Sequence, residues 1–546
     1  MTQRFVDSSD GVRIAVYEQG NSDGPTLVLA HGYPDTHRLW DPIVPLLADR
    51  FRIISYDNRG AGDSSGPKRT SAYRMERLAD DFAAVIDAVS AERAVHVLAH
   101  DWGSTGVWEF LVRPAAARRV ASFTSVSGPS RHHVHRYIID TLSRPYRPRR
   151  FLQGVRQLGL LAAMVPRSVP VKMYRANVLR TMTGAQPDHR DLGVDVPVQL
   201  IVSTQDPFLR PHLYDDTSVW ASRLWRRDIR AGHWSPTSHP QVLARSVAQL
   251  VDHLDGTPAA RELLRAQVGR SRKPFGDTLV SVTGAGSGIG RETALAFAHD
   301  GADVVISDID EGGLAETAGL IVAAGAIAHS YHLDVADATA VESFAERVCA
   351  EHGVPDIVVN NAGVGHAGFF LDTPAAEFDR VLDINFGGVV NGCRSFAKRL
   401  VERGTGGHIV NVASMASYTP VNVMNAYCTS KAAVYMFSDC LRAELDSAGI
   451  GLTTICPGVV GTNIVETTRF SLPDARRQDA EKVRGRARKG FGVRRYGPEK
   501  VAKAIVSSVQ KNKPVRPVTP EAYFVYGVAH ALPQAMRSGA RGGSIM

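Results

Sequence analysis

The chain is poor in cysteine and has no long apolar run. Its 546 residues include 5 cysteines, which all lie in the second half and form no CxxC pair. A disulfide framework or a zinc site needs such pairs or clusters, so we expect a reducing compartment and no bound metal. The opening residues contain no apolar signal region, and no segment reaches the roughly 18 apolar residues of a membrane-spanning helix. We therefore expect a cytoplasmic protein.

The composition is that of a globular protein, and the net charge leaves the partner open. Hydrophobic residues make up 44% of the chain and charged residues 22%, and the length is too great for one ordinary core. The net charge of +8 permits attraction to an anionic membrane or to nucleic acid, although ordinary basic patches explain it as well. We expect a small-molecule substrate, with a lipid-like one as an open alternative. We expect no nucleic-acid partner, and peripheral contact with a membrane stays open.

A glycine-rich turn in the second half predicts a site for phosphate. Residues 279–290 read LVSVTGAGSGIG, in which a β-prone apolar segment gives way to glycines and then to an amphipathic helix. Glycines let a pyrophosphate approach the backbone, and the N–H groups at the start of the helix point toward it. The turn residues predicted to bind the cofactor are Gly284, Ser287, Gly288, Ile289 and Gly290.

The strand that follows this turn ends in a carboxylate, Asp308, at the spacing expected for a residue that binds a ribose. Such a carboxylate accepts hydrogen bonds from a 2′-hydroxyl and repels a 2′-phosphate. Because neither Ser287 nor Ile309 is basic, the pattern predicts NAD(H) in preference to NADP(H). The residues predicted to lie beside the cofactor at the next strand ends are Asp334, Asn361, Ala362 and Gly363.

A tyrosine and a lysine four residues apart predict the chemistry of this half. Tyr427 and Lys431 begin a helix and share one of its faces. A phenol normally titrates near about 10, and a neighbouring ammonium together with a nicotinamide cation favours the phenolate. We expect Tyr427 to exchange a proton with a substrate oxygen that Ser414 holds, while the nicotinamide exchanges a hydride. Asn385, within a predicted long helix, is expected to anchor a water for proton relay.

These motifs resemble those of the short-chain dehydrogenases/reductases, over residues 276 to about 520. The patterns TGxxxGIG, NNAG and YxxxK all match, with the asparagine and the serine in the expected order. The resemblance implies a Rossmann fold, interconversion of a secondary alcohol and a ketone, and assembly as a homo-oligomer. We expect Lys431 to hold the ribose hydroxyls as well. The resemblance assigns the nicotinamide end of the cofactor to Pro457, Gly458 and Thr462.

The first half predicts a second enzyme, with an aspartate as its nucleophile. Its strands alternate with helices, which indicates a mostly parallel sheet. A nucleophile elbow needs small residues two positions before and after the reactive residue, and Ala99 and Gly103 meet that need around Asp101. Trp102 stands two positions before Ser104 and excludes it. We expect Asp101 to form an ester that water hydrolyses, and an aspartate that only caps the helix stays open as the alternative.

Two downstream residues complete this second set. Asp206 and His233 each follow a predicted strand, in the order nucleophile, acid, histidine that is typical of an α/β-hydrolase. We expect His233 to deprotonate the water, and Asp206 to orient His233 and stabilise its charged form. The backbone N–H groups of Trp102 and Tyr33 are expected to hold the developing negative charge.

Residues 5–128 and 194–252 resemble the epoxide hydrolase group of the α/β-hydrolases. His31-Gly32-Tyr33-Pro34 matches the HGxP motif of that group, and His100-Asp101-Trp102-Gly103 matches its nucleophile motif. Haloalkane dehalogenases share the Asp-Trp pair but usually carry asparagine where Tyr33 stands. Dehalogenase or esterase chemistry is therefore the alternative for this half. The predicted oxyanion and substrate residues are His31, Gly32, Tyr33, Trp102 and Tyr174.

The sequence departs from this group in the predicted lid, residues 129–194, which is short, basic and largely helical. Epoxide hydrolases hold the epoxide oxygen with two lid tyrosines, because the leaving alkoxide needs an acid. The corresponding frame falls on residues 176–180, where valine and leucine replace both rings. Tyr174, one helical turn earlier, is the expected substitute, and Tyr137 and Tyr146 are the other candidates.

A polar segment rich in proline and glycine, residues 257–275, separates an N-terminal domain, 1–256, from a C-terminal domain, 276–546. We predict the α/β class throughout, with an α/β-hydrolase fold followed by a Rossmann fold. The order resembles that of actinobacterial fusions of an epoxide-hydrolase-like domain to a dehydrogenase. A dehydrogenase whose inactive hydrolase domain serves as a binding module is the alternative hypothesis. An apolar-leaning tail helix, 523–536, is expected to pack on its own domain.

Overall fold

The protein divides into two compact units, Met1–Arg270 and Ser271–Met546. The computed structural model describes residues 1–114, 116–167, 172–183, 192–462, 464–471, 485 and 496–542. Each unit contains its own large sheet. The division falls inside the segment that the sequence assigns to a linker, 257–275.

The first unit is built on an eight-stranded sheet. Its strands are β1 (Thr2–Asp7), β2 (Arg13–Gly20), β3 (Thr26–Ala30), β4 (Arg52–Tyr56), β5 (Val95–His100), β6 (Val120–Val126), β7 (Val198–Ser203) and β8 (Leu224–Ile229). Their order is β1-β2-β4-β3-β5-β6-β7-β8. The first two pairings are antiparallel and the others parallel. The carboxyl ends of β3, β5, β7 and β8 therefore meet at one edge of the sheet.

Helices cover both faces of this sheet, because side chains along a strand alternate between its faces. Leu27 and Leu29 join one apolar cluster, whereas Val28 and Ala30 join another. The helices are α1 (Val44–Leu47), α2 (Met75–Val89), α3 (Asp101–Leu111), α4 (Ala116–Arg119), α5 (Arg131–Leu142), α6 (Pro148–Arg167), α7 (Lys172–Thr183), α8 (Ser235–Ser238), α9 (Pro240–Leu254) and α10 (Arg261–Ala266). Helices α5 to α7 form the lid.

Helix α10 lies inside the predicted linker, yet it belongs to the first unit. Its Leu263 and Ala266 are buried against Trp225 of β8 and Leu250 of α9. Burial of these side chains fixes the helix on the sheet, so the part of the chain free to act as a linker is shorter than the sequence indicates.

The second unit is built on a seven-stranded sheet whose pairings are all parallel. Its order is β11-β10-β9-β12-β14-β15-β17, and β13 pairs separately with β16. The strands are β9 (Leu279–Thr283), β10 (Asp303–Asp308), β11 (Ala328–His332), β12 (Ile357–Asn360), β13 (His366–Gly368), β14 (Gly407–Val412), β15 (Ile450–Cys456), β16 (Arg469–Ser471) and β17 (Val515–Pro517). The strand order reverses beside β9, where a doubly wound sheet binds its ligand.

The helices of the second unit are joined at one place by a π-helical segment that the sequence did not predict. They are α11 (Gly288–His299), α12 (Glu311–Ala323), α13 (Ala338–His352), α14 (Ala375–Leu382), α15 (Gly388–Arg403), α16 (Asn425–Leu445), α17 (Ile464–Thr467), α18 (Pro498–Gln510), α19 (Pro520–Ala531) and α20 (Pro533–Gly542). A π-helical segment, Asp383–Gly387, interrupts the predicted long helix at Asn385. Such segments are frequent at functional sites.

The predicted tail helix, 523–536, is two helices. Helix α19 ends at Ala531 and α20 begins at Pro533, because proline has no N–H to continue the ladder. Helix α19 does contact its own unit, since Ala522 is buried and its carbonyl accepts a hydrogen bond from the Tyr418 hydroxyl at 3.2 Å. Tyr523 is exposed. Within the described ranges, every helix is too short or too polar to cross a bilayer.

Candidate active sites

Asp101 occupies a tight turn between β5 and α3. Its φ of 49° is left-handed, which an ordinary side chain adopts only when the surroundings enforce it. The surroundings are close: a Cβ at Gly32 would lie 2.5 Å from the Asp101 side chain, and a Cβ at Gly103 would collide with the His31 carbonyl. Ser104 is turned away, with its hydroxyl bonded to Ser125 at 2.8 Å. Asp101, and not Ser104, therefore occupies the strained position of this turn.

The Asp101 carboxylate is buried among groups of opposite effect on its pKa. Its Oδ2 accepts a hydrogen bond from the Tyr33 N–H at 3.0 Å. Its Oδ1 lies 3.9 Å from Nε2 of His233. Burial raises the pKa of Asp101 to about 6, while the charge of His233 and the backbone N–H groups of Tyr33 and Trp102 oppose the rise.

His233 and Asp206 form a buried pair, as the sequence predicts for a base and its orienting acid. Nδ1 of His233 lies 2.8 Å from Oδ2 of Asp206. The other carboxylate oxygen accepts the N–H groups of Phe208 and Leu209 at 2.8 and 3.0 Å. Burial opposes the charged form of His233, but Asp206 and Asp101 outweigh it and raise the pKa of the imidazole. The Nε2 atom of His233 faces Asp101, the predicted nucleophile.

His31 braces the predicted oxyanion turn through both of its ring nitrogens. Its ring is fully buried, with Nδ1 bonded to the Gly32 carbonyl at 2.7 Å and Nε2 accepting the Asn58 N–H at 2.9 Å. These partners fix a neutral tautomer, and burial lowers the pKa of His31 to about 4. Gly32 and Tyr33 are the residues of this motif that touch Asp101.

Of the three lid tyrosines, the structure brings Tyr174 to the nucleophile turn. Its ring contacts the edge of Trp102 at 5.1 Å and of Tyr33 at 5.7 Å between centroids. Burial raises the pKa of Tyr174 to about 12, and the charge of Asp101 adds to the rise. Tyr137 is buried against His212. Tyr146 is 72% exposed.

At positions 178 and 179 the chain has aliphatic residues where the family has two aromatic ones, and the structure describes the side chain of the first. Val178 is buried, and the side chain of Leu179 lies outside the described residues. Asn177 fixes α7 on the first unit, since it accepts the Met75 N–H at 3.0 Å and donates to the Tyr73 carbonyl at 2.8 Å. These contacts hold Tyr174 over the turn.

Sequence reasoning missed three groups at this site. His100 donates from Nε2 to the His233 carbonyl at 2.9 Å and so holds the histidine loop. Asp35 accepts a hydrogen bond from the Trp234 indole at 3.2 Å. The buried hydroxyl of Tyr214 lies near Asp206 and Asp101, whose charges together with burial raise its pKa. His100 belongs to the quoted nucleophile motif and Asp35 follows the quoted HGxP motif, whereas no sequence pattern points to Tyr214.

The glycine turn of the second unit lies against the Asn-Asn-Ala-Gly turn. The Asn361 amide donates to the Thr283 carbonyl at 3.0 Å and to the Gly284 carbonyl at 3.1 Å. A Cβ at Gly284 would lie 2.7 Å from the backbone of Ala362, and one at Gly290 would strike the Gly284 carbonyl. The Asn361 side chain therefore braces the glycine turn.

Asp308 lies at the mouth of the glycine turn. Its Oδ2 accepts the Gly286 N–H at 2.8 Å. Arg291, the nearest cation on α11, is engaged by Glu316 at 2.7 Å and by the Thr317 hydroxyl at 3.0 Å. Asp334 is exposed and accepts the Ala336 N–H at 2.9 Å. A cleft at this place is lined by Gly286, Ser287, Gly288, Arg291, Glu292, Asp310, Gly313, Glu316, Gly461, Thr462 and Pro498.

Tyr427 and Lys431 of α16 lie at the end of β14, next to Ser414. Burial raises the pKa of the Tyr427 phenol, and the Ser414 side chain opposes the rise. The Lys431 ammonium donates to the Val412 carbonyl at 3.0 Å, and burial lowers its pKa to about 8. Burial of the phenol is the largest influence on the pKa of Tyr427. The joint effect of Lys431 and a nicotinamide cation that the sequence predicts stays a prediction.

Asn385 links this centre to the Asn-Asn-Ala-Gly turn. Its Oδ1 accepts the Val364 N–H at 2.8 Å, and its amide donates to Ser430 at 3.1 Å. A Cβ at Gly363 would lie 3.3 Å from the Lys431 ammonium and 3.0 Å from Oδ1 of Asn385. A side chain at position 363 would therefore press on both Asn385 and Lys431.

The predicted nicotinamide-end residues surround the same place. The Pro457 carbonyl accepts the Met415 N–H at 2.8 Å, next to Ser414. A Cβ at Gly288 would lie 3.5 Å from Thr462, and a Cβ at Gly458 would meet the Glu521 carboxylate at 2.9 Å.

Two family models match separate parts of the chain. A family model for the alpha/beta hydrolase fold matches residues 25–163, and one for short chain dehydrogenases matches residues 278–471. The protein named Probable oxidoreductase EphD of Mycobacterium tuberculosis is 60% identical over 98% of each chain. The Putative oxidoreductase SadH of that organism is 35% identical over 44% of this chain and 85% of its own.

A solved structure resembles the second unit. It is a short chain dehydrogenase/reductase from Burkholderia phymatum in complex with NAD. It is 28% identical, and the match covers 48% of this chain and 96% of that one, with a TM-score of 0.44.

Proposed function

Because the chain belongs to the family of the mycobacterial Probable oxidoreductase EphD, with an α/β-hydrolase domain and a short chain dehydrogenase domain, we propose that both domains are catalytic. The second domain interconverts a secondary alcohol and a ketone with NAD(H). The first hydrolyses an epoxide through an ester on Asp101, and the diol offers the second domain an alcohol to oxidise.

The convergence of Tyr427, Ser414 and Lys431 beside the glycine turn carries this proposal. In the reducing direction Tyr427 gives its proton to the carbonyl oxygen, which Ser414 holds by a hydrogen bond. In the oxidising direction the phenolate of Tyr427 takes the hydroxyl proton of the alcohol. The ammonium of Lys431 lowers the cost of the phenolate that each step leaves or requires. Asn385 is assigned the water that relays the proton onward.

The residues present fit a nicotinamide dinucleotide. The glycines leave no Cβ between the backbone and a pyrophosphate, and the start of α11 offers unpaired N–H groups there. The bound cofactor supplies or accepts the hydride. NAD(H) is favoured because the Asp308 carboxylate repels a 2′-phosphate and Arg291 is engaged by Glu316 at 2.7 Å.

The geometry at Asp101 supports each step of ester chemistry. Oδ2 is held by the Tyr33 N–H, which leaves Oδ1 to attack an epoxide carbon. The carbon–oxygen bond of the ring breaks, and Tyr174 gives a proton to the alkoxide. His233 then takes a proton from water, which attacks the ester carbonyl. The N–H groups of Tyr33 and Trp102 stabilise the oxyanion until the diol leaves.

A hydrolase domain kept only as a binding module is the second candidate. Val178 favours the binding-module candidate, because this buried aliphatic side chain occupies a position where the family has an aromatic residue. The two candidates differ in whether Asp101 ever forms a covalent bond.

The His233→Gln variant tests the hydrolase half. Without the base, the ester forms but is not hydrolysed, so intact-mass spectrometry after treatment with a panel of epoxides is expected to show one adduct. The adduct maps to Asp101 and is absent from a variant that also carries Asp101→Ala. If no epoxide of the panel adds mass to His233→Gln, the binding-module candidate is the better one.

The Tyr427→Phe variant tests the dehydrogenase half. It is expected to lose carbonyl reduction while NADH binding, followed by fluorescence, is kept. Tyr435→Phe, on the same helix, is the matched control and retains turnover. Unchanged turnover in Tyr427→Phe would remove the assigned acid.

A further inference from the structure

The positive charge of this protein is concentrated in one insertion. The lid, residues 129–194, contains 12 lysines and arginines and 3 acidic residues. Its net charge of +9 exceeds the +8 of the whole chain, so the other residues together are nearly neutral. A local surplus of one sign repels itself on a compact surface and marks a place where a partner of opposite charge binds.

The described part of the lid exposes this charge at one end. Helices α5 and α6 pack together, with Thr141 against Gly154, and every residue from 143 to 149 between them is exposed. We call residues 136–156 the lid tip. Four of its arginines are exposed and have no carboxylate partner among the described residues: Arg144, Arg147, Arg149 and Arg156. By contrast, Arg131 pairs with Glu109 at 2.9 Å and Arg150 with Asp216 at 3.1 Å.

Apolar side chains stand between these arginines. Tyr146 is 72% exposed and Leu152 65%, and Ile139 and Val155 are 48% and 44% exposed. On α6, Leu152 and Val155 are three residues apart and share a face with Arg156. Solvent-exposed aliphatic groups flanked by arginines are the pattern of helices that lie in the interface of a membrane. A nucleic acid would bind the arginines but would offer no apolar partner for Leu152 and Val155.

We propose that the lid tip docks on the anionic surface of a lipid bilayer. Tyr146 and Leu152 enter the headgroup region, and the four unpaired arginines bind lipid phosphates. The lid also carries Tyr174 above Asp101. Docking would let a substrate dissolved in the membrane reach the first unit, and that consequence rests on the proposed hydrolase function.

Sedimentation of the full-length protein with vesicles tests the docking without any chemistry. We expect binding to vesicles that contain phosphatidylglycerol, little binding to pure phosphatidylcholine, and weaker binding as salt rises. The triple variant R144E/R147E/R149E is expected to lose roughly 100-fold or more in affinity, from about fivefold per neutralised arginine. Y146S/L152S is expected to keep the salt dependence but lose the binding that remains at high salt.

A matched triple variant separates the lid tip from net charge alone. Arg93, Arg118 and Arg223 are exposed and lie just before β5, β6 and β8, at the opposite edge of the sheet from Asp101. R93E/R118E/R223E makes the same change in charge and is expected to bind vesicles like the unaltered protein. Three outcomes would overturn the proposal. The first is an equal loss of vesicle affinity in both triple variants, and the second is equal binding to neutral and anionic vesicles. The third is binding to duplex DNA that Y146S/L152S leaves intact.

The outcome for the hydrolase is independent of this one. Vesicle binding without an Asp101 adduct would keep the docking surface and remove the epoxide. An adduct without vesicle binding would keep the chemistry and remove the membrane.

Discussion

At the scale of residues, the two acids to which the proposed function assigns the chemistry are buried, and burial acts on both in the same direction. Desolvation raises the pKa of the Asp101 carboxyl and of the Tyr427 phenol, because each charged form has lost its water. For Tyr427 this favours the protonated donor of the reducing direction. For Asp101 it works against the nucleophile, and the charge of His233 partly restores the carboxylate.

The first prediction concerns the pH dependence of ester formation. The carboxylate is the reactive form and the pKa of Asp101 is raised to about 6, so the rate should rise as pH rises through that value. The charge of His233 lowers the pKa of Asp101. His233→Gln is therefore expected to move the midpoint upward, measured by rapid-quench mass spectrometry of the adduct. His239→Gln is the control. A midpoint that stays or falls in His233→Gln would contradict this account.

The second prediction concerns the choice of dinucleotide. Asp308→Ala should weaken NADH binding by roughly tenfold or more, the loss expected for a hydrogen bond to a charged group. It should not weaken NADPH binding, because the repulsion of a 2′-phosphate goes with the carboxylate. Fluorescence titration measures both. Asp300→Ala, at the other end of α11, is expected to leave both unchanged, and parallel losses for the two dinucleotides in Asp308→Ala would count against the assignment.

At the scale of elements, helix α7 decides which acid the lid offers. Asn177 ties α7 to Tyr73 and Met75, and this fixes Tyr174 against Trp102. The helix therefore presents one ring from a position a turn earlier than the family's frame. In the second unit, the π-helical segment Asp383–Gly387 has a comparable role, since it places Asn385 between Val364 and Ser430.

The third prediction concerns this helix. Tyr174→Phe should slow formation of the Asp101 ester by roughly 100-fold or more, the usual contribution of a positioned general acid. Tyr137→Phe and Tyr146→Phe are the matched controls, because the first ring is buried against His212 and the second is exposed. Single-turnover rates with one epoxide measure all three. A larger loss in either control would move the role of acid to that residue.

At the scale of the whole molecule, the two units have separate cores. Apolar clusters of the first unit involve the strands around β5, and those of the second involve the strands around β9. Separate cores make each unit a candidate for independent unfolding, and a ligand stabilises only the unit that binds it.

The fourth prediction follows from this separation. In calorimetry, NADH at about 100 times its dissociation constant should stabilise one transition by about 2.7 kcal/mol and leave the other in place. Leu98→Ala, at a fully buried position of the first unit, should reduce the free energy of unfolding of that unit by about 2–5 kcal/mol and leave the second unit unchanged. A smaller NADH effect in Asp308→Ala at the same concentration, about 1.4 kcal/mol for a tenfold weaker affinity, is the control. A single transition, or one in which both perturbations act together, would show that the units unfold as one.

The sequence by itself determined the two folds and the order of the two domains, and the family matches confirm both folds. It could do so because the decisive patterns are local. The turn at Gly284 and the elbow at Asp101 each lie where one strand passes into one helix. Tyr427 and Lys431 are joined by a single helical turn.

Only the tertiary structure decided which distant groups meet and how burial changes them. It selected Tyr174 among three lid tyrosines, turned His31 inward and placed Tyr214 near two carboxylates. It also packed part of the predicted linker, Arg261–Ala266, on the first unit. These outcomes depend on contacts between elements far apart in the chain, and desolvation depends on how completely those elements close over a group. The spacing of residues within one segment determines neither these contacts nor the desolvation.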